Sequence, residues 1–452
     1  MGKNIAKNSD VVRYSNVPSS RLSRLAGFGK LAGGIAGGML AEGASRLVNG
    51  KTISTEDLLL TPQNAKRVAE RLSHLRGAAM KIGQILSMDS GDFLPDQLSE
   101  ILASLRENAH FMPTRQLDNI LRREWGENWR KNFKWFNPRP IAAASIGQVH
   151  KALTREGKLL AIKVQYPGVA SSINADVDNA AALLRMSGLL PPQLDMGPLL
   201  HAAKNQLHEE ADYIREGMQM QSFALRMSAD TGFVVPQYDK DLSNQRILAM
   251  SFEQGIPIEE LAEEPMELRS EVFARIVKYV LRELFEFGAM QTDPNFANYR
   301  YRRADGAIVL LDFGAATEIQ ADVIDGYKRL LSAGLKGDTG QVKQEALKVG
   351  FLNNTMIQRQ PDQIDRIIKI ITSEMNRDTP FDFGNRAFLP SLKKEGMIIA
   401  SDKDSWHVPP AETLFVQRKI SGTALLGVRL KAVVNIRELI KQTIRKASES
   451  EG

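Results

Sequence analysis

The sequence of 452 residues contains no cysteine and only six histidines. The lack of cysteine excludes disulfide bonds, thiolate nucleophiles and zinc or iron–sulfur sites with cysteine ligands. The histidines are scattered, and His208-Glu209-Glu210 lacks the second histidine of a helical zinc motif, so a histidine metal site is disfavoured. Thiol chemistry and zinc-dependent chemistry are therefore not what this sequence indicates.

Long apolar runs are missing as well. No stretch of about 20 apolar residues occurs, so the sequence predicts no transmembrane helix. The first residues, MGKNIAKNSD, match neither a signal peptide nor a transit peptide. A hydrophobic content of 43% allows a sizeable core, and the net charge of +6 fits anionic partners without choosing among nucleotide, nucleic acid and membrane.

The strongest functional pattern lies between Phe287 and Thr317. Asp293 is followed five residues later by Asn298, and Asp312 comes fourteen residues after that in an Asp-Phe-Gly triplet. This order is typical of kinase-like phosphoryl transfer, in which one aspartate orients the nucleophile while the asparagine and the second aspartate hold magnesium. The pattern predicts a catalytic Asp293 and a magnesium site formed by Asn298 and Asp312.

Local sequence separates this triplet from a second copy. The apolar run Ile308–Leu311 follows Asp305-Gly306, which predicts a hairpin turn and a buried strand that ends at Asp312. The second copy, Phe381–Gly384, follows Pro380 and has neither a strand pattern before it nor an upstream Asp-x4-Asn. We therefore predict that the second copy is a turn outside any site.

Residues 140–169 predict a strand, a tight loop of small residues, a second strand, a turn and a third strand. The third strand carries Lys163 inside Ala-Ile-Lys-Val, which is the kinase arrangement for binding α- and β-phosphates. The loop has alanines where a kinase has glycines, so methyl groups should crowd the phosphates and alter the nucleotide geometry. The candidate nucleotide-binding residues are Ala142, Ala143, Ala144, Ser145, Gly147, Lys163 and, around a predicted hinge at 251–255, Met250 and Phe252.

An amphipathic helix is predicted at residues 62–87. Gly77 weakens this helix, which suggests that close packing requires a glycine there. Lys81 and Gln84 lie one turn apart, so both side chains can reach a shared acceptor. Taken alone, Lys81 also fits an ordinary solvated lysine.

A second long helix is predicted at about residues 196–222, and it is rich in carboxylates. Those considered are Glu209, Glu210, Asp212 and Glu216. On a continuous helix, Glu210 points about 120° away from Glu216, so the two can serve different partners. A solvated acidic face is the alternative interpretation.

Two segments have a composition that fits contact with a membrane. Residues 11–41 contain no acidic residue and include LAGGIAGGMLA, whose glycines form small-residue stripes on a helix. A tight helix–helix contact and a basic apolar segment lying on an anionic membrane both fit this pattern. Residues 421–447 predict a basic helix, either a solvated face or a contact with anionic lipid.

Six motifs, in order, resemble the UbiB family of atypical kinase-like proteins. They are GAAMKIGQILS, AAASIGQVH, AIKVQYPGV, EEADYIREG, ELFEFGAMQTDPNFANY and LLDFGA. The similarity extends over most of the chain and includes the N-terminal VPSSRLSRLAGFGKLAGG. The Asp-Pro-Asn-x-x-Asn form of the catalytic motif resembles the branch linked to coenzyme Q biosynthesis in mitochondria and bacteria.

The resemblance implies an α+β, two-lobed protein-kinase-like fold with a β-rich N-lobe, a helical C-lobe and an added helical N-terminal extension. It also implies ATP or ADP and Mg²⁺ as cofactors, with ATPase activity rather than phosphorylation of proteins. The predicted domains are a leader (1–20), the helical extension (21–130), the N-lobe with an inserted helix (131–252), the C-lobe (253–447) and a tail (448–452).

Residue roles follow from the same resemblance, motif by motif. The implied catalytic residues are Asp293, Lys163 and its helix partner Glu216, and the implied magnesium ligands are Asn298 and Asp312. The implied regulatory residues are Lys81 and Gln84 of the K-x-G-Q motif and Glu210 and Asp212 of the E-x-D motif. Lys81 and Gln84 are expected to reach Glu210 and to cover the place where a peptide substrate would bind.

The main hypothesis is a kinase-like, magnesium-dependent ATPase that supports ubiquinone biosynthesis and acts on or near membrane lipids. One alternative is phosphotransfer to a small molecule or a lipid head group. Another is a nucleotide-gated, lipid-binding scaffold that barely hydrolyses ATP. Protein kinase activity is disfavoured because the segment after Asp312 lacks the Ala-Pro-Glu motif of protein kinases.

The expected partners follow from this hypothesis. They are ATP, an anionic membrane surface, and isoprenoid-quinone lipid precursors or proteins of ubiquinone biosynthesis, whereas nucleic acid is not expected. A homodimer is compatible with the sequence. The expected location is the bacterial cytoplasm, peripheral at the inner membrane, or the matrix face of the mitochondrial membrane in a eukaryote.

Overall fold

The computed structural model describes residues 75, 77–78, 81–82, 111–186, 197–377, 379–385, 387–402, 405, 407 and 409–449. The predicted leader, the 11–41 segment and Gln84 lie outside these residues. Of the helix predicted at 62–87, the structure describes Gly77, Ala78, Lys81 and Ile82 as helical.

The chain divides into two compact units. The first comprises residues 1–218 and 237–252, and the second comprises residues 219–236 and 253–452. Each unit contains both sheets and helices, which agrees with the predicted α+β class. The predicted domain boundaries stay predictions.

The first unit is built on a five-stranded antiparallel sheet. Its strands are β1 (Phe133–Phe136), β2 (Ala142–Ala143), β3 (Gly147–Thr154), β4 (Leu159–Gln165) and β6 (Ile247–Ser251). Strands β1, β3, β4 and β6 pair in that order, and β2 pairs with β3. The strand order predicted for residues 140–169 is therefore confirmed. Lys163 lies in the almost wholly buried β4, opposite Val149 of β3 and Leu248 of β6.

Four helices of the described chain accompany this sheet: one comes before β1 in the sequence, and three lie between β4 and β6. They are α1 (Thr114–Trp125), α2 (Val169–Met186), α3 (Gly197–Glu210) and α4 (Tyr213–Arg226). The core of the first unit joins α1 to the sheet, with Leu117 and Leu121 packed in one cluster with Ile162 and Val164. Both β3 and β4 lie between two other strands, but burial alternates along β3, which indicates one covered face, and is nearly continuous along β4, which indicates two.

The single long helix predicted at 196–222 is wrong. The chain forms α3 and α4 with a break at Ala211-Asp212. The Asp212 carboxylate accepts the Arg215 backbone N–H at 3.0 Å, the bond that caps the first turn of α4. Because an aspartate at this position satisfies a free helix N–H group, it starts a new helix more readily than it continues an old one.

The second unit contains three small sheets. In the largest, β5 (Phe233–Val234), β10 (Ala307–Leu310), β9 (Tyr299–Arg302) and β7 (Ile256–Pro257) pair in that order. The other two pair β8 (Ala289–Gln291) with β11 (Ala316–Glu318), and β12 (Phe381–Asp382) with β13 (Val433–Val434). The hairpin predicted before Asp312 is confirmed: β9 and β10 are antiparallel, β10 is buried, and Gly306 in the turn has φ +69°.

The second triplet is more ordered than predicted. Phe381 and Asp382 form β12, a strand that the sequence did not predict, because its partner β13 lies about fifty residues further along the chain. Phe383 and Gly384 then form the predicted turn.

The remaining helices lie in the second unit. They are α5 (Met266–Phe285), α6 (Ala321–Lys336), α7 (Thr339–Val349), α8 (Asn354–Arg359), α9 (Pro361–Met375), α10 (Leu389–Ser401), α11 (Ala411–Leu430) and α12 (Ile436–Glu449). On α5, Val272, Ile276, Val280 and Leu284 recur every fourth residue and are all buried, so one apolar stripe faces the core. Among the described helices, none is both long and apolar enough to cross a membrane.

The continuous basic helix predicted at 421–447 is also wrong. Helix α11 ends at Leu430, and Lys431 takes a left-handed conformation with φ 47° at its C-terminus. Strand β13 follows before α12 begins. The basic residues are therefore divided between two helices, because Val433-Val434 pairs with β12 rather than continuing the helix.

Candidate functional site

Lys163 forms a buried ion pair with Glu216 of α4. Its Nζ lies 2.9 Å from each carboxylate oxygen of Glu216, and Glu216 is fully buried. The centroid of the Tyr213 ring lies 5.0 Å from the same Nζ. Because a strand holds the lysine and a helix holds the glutamate, the ammonium group is fixed in position. This arrangement suits a cation that binds phosphate, although the role itself stays a prediction.

The loop of small residues is a tight β-hairpin turn. Ala142 and Ala143 form β2, and the Ala144 N–H donates to the Gly147 carbonyl oxygen at 2.9 Å. A Cβ atom on Gly147 would lie 2.4 Å from the Val164 carbonyl oxygen on β4. The packing of two strands therefore requires glycine here, so this glycine by itself is not evidence of phosphate contact.

A second buried cation lies beside this loop. Lys81 is 2% exposed, which excludes the solvated lysine, and its Nζ lies 2.5 Å from Glu210 Oε1. The Ser145 hydroxyl donates to the other oxygen of Glu210. A Cβ atom on Gly77 would meet the Ser145 carbonyl oxygen at 3.0 Å, which confirms the packing explanation for that glycine. One carboxylate thus links the Lys81 helix, the loop and the end of α3.

The other predicted residues of the first unit have structural positions of their own. Asp212 caps α4, and Gln84 lies outside the described residues. Met250 pairs with Ala161 of β4 and is 6% exposed. The Phe252 N–H donates to the Leu159 carbonyl oxygen at 2.9 Å, and the Lys151 ammonium lies 4.0 Å from the Phe252 ring centroid. Their binding and regulatory roles stay predictions.

Asp293 and Asn298 lie on the loop between β8 and β9. The Asn298 amide nitrogen is 3.4 Å from the Asp293 carbonyl oxygen and 3.5 Å from its carboxylate. A 3₁₀ turn at Phe296–Asn298 shapes the loop, and the Asn295 side chain caps it by accepting the Ala297 N–H at 3.1 Å. The five-residue spacing therefore folds into a turn that brings both functional side chains together.

Asp312 follows β10 and makes a local turn. Its Oδ1 accepts the Gly314 N–H at 2.9 Å, and Phe313 is buried with its ring centroid 5.1 Å from that of Phe223. Asp382 of the second triplet makes the equivalent bond at 2.8 Å but is exposed. The triplet alone thus determines the turn, and the surrounding strands determine whether the aspartate belongs to a site.

Backbone hydrogen bonds tie the Asp293 loop to the triplet. Thr292 donates its N–H at 3.1 Å and its hydroxyl at 2.9 Å to the Ala315 carbonyl oxygen. The Leu311 N–H donates to the Asn298 carbonyl oxygen at 3.0 Å, and β8 pairs with β11. The structure therefore brings Asp293, Asn298 and Asp312 onto adjoining segments of one unit.

The oxygen donors of these segments suit magnesium supplied with a nucleotide. Within the part of the chain that the structure describes, no group of three or more His, Asp or Glu could hold a metal by itself. Mg²⁺ typically keeps several waters and is bound by one or two carboxylates together with substrate phosphates. Asn298 and Asp312 fit that pattern and do not form a complete metal cage.

Sequence reasoning missed the bond between Ser145 and Glu210 and a buried cation on α11. Lys419 is 1% exposed, and its Nζ lies 2.8 Å from the Tyr299 hydroxyl, 120 residues earlier in the chain. One local signal existed, because Lys419 lies among the buried positions of α11 that include Val416 and Leu426. A lysine in that stripe needs a buried partner.

Comparison with known proteins agrees with this geometry. The family model for the ABC1 atypical kinase-like domain matches residues 104–346. The chain is 36% identical over 440 residues to the mitochondrial atypical kinase COQ8B of Rattus norvegicus, covering 97% of this chain and 83% of the relative. It is 34% identical over 444 residues to the mitochondrial atypical kinase COQ8 of Saccharomyces cerevisiae, covering 97% and 88%.

A solved structure shares the fold. The chain superposes on Rv3197 of Mycobacterium tuberculosis, solved in complex with erythromycin, with a TM-score of 0.60 and 24% identity over 84% of this chain and 96% of the other. This likeness and the domain match confirm the predicted α+β kinase-like fold. The predicted family resemblance is confirmed as well: the chain belongs to the UbiB family of ABC1 atypical kinase-like proteins.

Proposed function

We propose that the protein is an atypical kinase-like, Mg²⁺-dependent ATPase that supports ubiquinone biosynthesis. The observation that carries this proposal is the fully buried Glu216, whose two oxygens hold the Lys163 ammonium in the core of the first unit. A buried ion pair is costly to maintain, and a lysine fixed in this way suits phosphate binding. The relatives named COQ8 support the assignment to ubiquinone biosynthesis.

Each residue has a proposed task. Lys163 neutralises the α- and β-phosphates of ATP, and Glu216 holds that ammonium in place. Asn298 and Asp312 hold Mg²⁺, which supplies neutralisation of phosphate charge when it is bound. Asp293 orients the attacking water or acceptor hydroxyl. Because phosphoryl transfer requires little covalent chemistry from the protein, placement and charge provide the rate enhancement.

Lys81 and Glu210 are proposed to restrict this activity. The buried pair joins the K-x-G-Q helix to the alanine-rich loop through Ser145. A loop held in this way cannot move freely to admit a large acceptor, which supports hydrolysis over phosphorylation of proteins. We propose that the remaining members of the regulatory and nucleotide-binding sets are Gln84, Asp212, Ala142, Ala143, Ala144, Ser145, Gly147, Met250 and Phe252.

We propose a peripheral contact with an anionic membrane, where isoprenoid-quinone precursors or proteins of ubiquinone biosynthesis are the partners. The mitochondrial relatives support a matrix location in a eukaryote, and the bacterial inner membrane is the corresponding site in a bacterium. Basic residues on α12, among them Arg445 and Lys446, are exposed and offer one candidate contact.

The test is release of phosphate from Mg-ATP by the purified chain, with and without anionic liposomes. Asp312→Asn should lower turnover by about 100-fold or more, because the metal loses a charged ligand. Asp382→Asn is the matched control, since Asp382 makes the same turn in the second triplet. It should keep turnover within about twofold of wild type.

Three other results would change the assignment. Wild-type turnover in Asp312→Asn contradicts the metal site. Nucleotide binding without hydrolysis favours the gated scaffold, and radiolabel from the γ-phosphate in a lipid extract favours a lipid kinase.

A further inference from the structure

Lys419 is a buried cation in the second unit that the proposed reaction does not use directly. An ammonium group has three N–H donors, and burial is costly unless each of them finds an acceptor. The Tyr299 hydroxyl at 2.8 Å and the Gln291 Oε1 at 3.1 Å accept hydrogen bonds from this ammonium, and the Glu283 Oε2 lies 3.4 Å from it as the partner of a buried ion pair. Two hydrogen bonds and one ion pair therefore hold the ammonium group inside the core.

Glu283 extends this cluster to the backbone. It is fully buried on α5, and its other oxygen accepts the Gln291 N–H at 3.0 Å. Burial raises the pKa of Glu283, whereas the Lys419 ammonium opposes that shift. Burial alone lowers the pKa of Lys419, but the Glu283 carboxylate and the Tyr299 oxygen more than offset this and keep its pKa above the ordinary value. A charged ammonium is thus the stable form of Lys419.

The partners of Lys419 lie at both ends of one loop. Gln291 is the last residue of β8, two residues before Asp293. Tyr299 is the first residue of β9 and directly follows Asn298. One ammonium group therefore fixes the start and the end of the segment that carries Asp293 and Asn298.

Helix α11 also packs against the middle of this loop. A Cβ atom on Gly422, three residues after Lys419, would lie 2.1 Å from the Cβ atom of Pro294. Only a glycine allows the helix backbone to approach the loop so closely. This contact is independent of the hydrogen bonds of Lys419 and indicates that α11 supports the whole loop.

We propose that Lys419 is a positioning residue for the proposed phosphoryl-transfer site, fixing the loop that presents Asp293 and Asn298. The inference rests on the proposed ATPase function. Because Lys419 is buried in the core, it acts on the site through Gln291 and Tyr299. Loss of the ammonium frees both ends of the loop, so that Asn298 holds the metal less often in the productive position.

This role predicts a specific kinetic change. A small displacement of a positioned group has a large effect on a reaction that depends on placement. The Mg²⁺ concentration for half-maximal turnover should rise and kcat should fall. The affinity for nucleotide without metal should stay near wild type, because Lys163 and Glu216 of the first unit do not depend on Lys419.

The experiment compares Lys419→Met with a control on the same helix. Methionine retains the length of the side chain but donates no hydrogen bond. Thr413→Val is the matched control, because Thr413 is 1% exposed and its hydroxyl donates to the Val349 carbonyl oxygen at 2.7 Å, which does not involve the loop. Tyr299→Phe removes a single acceptor of Lys419 and provides a milder variant.

Lys419→Met should lower kcat about tenfold or more and raise the half-saturating Mg²⁺ concentration about tenfold. Tyr299→Phe should raise that concentration about threefold, and Thr413→Val should leave both values unchanged within about twofold. Circular dichroism at the assay temperature verifies that each variant is folded. If Lys419→Met does not fold, Tyr299→Phe becomes the test of the proposal. A Mg²⁺ dependence of turnover in Tyr299→Phe equal to that of the wild type then overturns the proposal.

Hydrogen exchange separates this proposal from the proposed function. Amides of residues 289–299 should exchange about tenfold faster in Lys419→Met but not in Thr413→Val. If the wild-type protein hydrolyses no ATP, the proposed function fails, but the exchange rates still show whether Lys419 holds the loop in place. If a folded Lys419→Met shows wild-type exchange and wild-type Mg²⁺ dependence, Lys419 has no positioning role.

Discussion

Removal of the Lys163 ammonium is the perturbation with the clearest expected cost. Lys163→Met keeps the length of the side chain and leaves the Glu216 carboxylate without the cation that both of its oxygens contact at 2.9 Å. At that distance, two unit charges attract by about 6 kcal/mol at an effective dielectric constant of about 20. Most of this attraction offsets the cost of burying the charges.

The measured change in the free energy of unfolding is smaller than the whole attraction, because it reports only the cost of leaving the Glu216 charge buried without a partner. Glu216 is fully buried, so Lys163→Met strands its charge, and truncating one partner of such a pair destabilises a protein by about 3–5 kcal/mol. Replacing both partners by apolar residues is often neutral. We therefore expect Lys163→Met/Glu216→Leu to recover most of the stability lost by the single variant.

Urea unfolding and phosphate release separate the two roles of the pair. The double variant should unfold near the wild-type midpoint and yet hydrolyse ATP about 100-fold more slowly or worse, because no cation faces the phosphates. Lys158→Met is the matched control on the same strand-and-turn segment. Lys158 is 61% exposed and lies 3.5 Å from Asp239, so its loss should cost about 0.5 kcal/mol or less.

Two results would refute this reasoning. A loss below about 1 kcal/mol in Lys163→Met means that Glu216 finds water or a proton, so the ion pair is not a fixed element. Wild-type hydrolysis by the double variant means that another cation binds the phosphates. Either outcome would require a new assignment of the phosphate-binding residue.

Two further predictions concern the first unit. Burial lowers the pKa of His150 to about 4, so between about pH 6.5 and pH 4 the unfolded chain binds more protons than the folded chain. Acidification across that window should therefore lower the free energy of unfolding by up to about 3 kcal/mol. The variant His150→Gln should not show this loss. Urea midpoints at pH 7 and pH 5 measure this, and equal pH slopes in the two proteins would contradict it. Gly147→Ala should destabilise the unit by about 1–3 kcal/mol, because the new Cβ would meet the Val164 carbonyl oxygen. The control Gly157→Ala should show only a smaller cost of backbone strain, because Gly157 has φ +92° but no atom within 4 Å of an added Cβ. If urea unfolding shows Gly157→Ala to be the less stable variant, the packing argument is wrong.

Family and fold class were predictable because their signals are local and ordered. The five-residue spacing of Asp293 and Asn298 ends in a 3₁₀ turn at Phe296–Asn298, and the apolar run before Asp312 forms a buried strand. The turn residues Glu156-Gly157 and the apolar run that follows them placed Lys163 on a strand. Short-range hydrogen bonds and hydrophobic periodicity determine these features, so they can be read from neighbouring residues.

Helix continuity was the local feature that sequence reasoning missed. The predicted helix at 196–222 breaks at Asp212, because a side chain that caps a helix competes with the backbone that would continue it. The conclusion drawn from the single helix nevertheless survives on different grounds. Glu210 and Glu216 meet different lysines because they lie on two helices rather than on two faces of one.

The sequence by itself therefore determined the family, the kinase-like fold and the candidate residues for phosphate and metal. Only the tertiary structure decided which charges are buried together. Lys81 meets Glu210 across 129 residues, and Lys419 meets Gln291 across 128. Such pairs form only when distant segments pack together and exclude water from both partners. The residue pattern within one segment therefore does not predict which distant residue will be the partner.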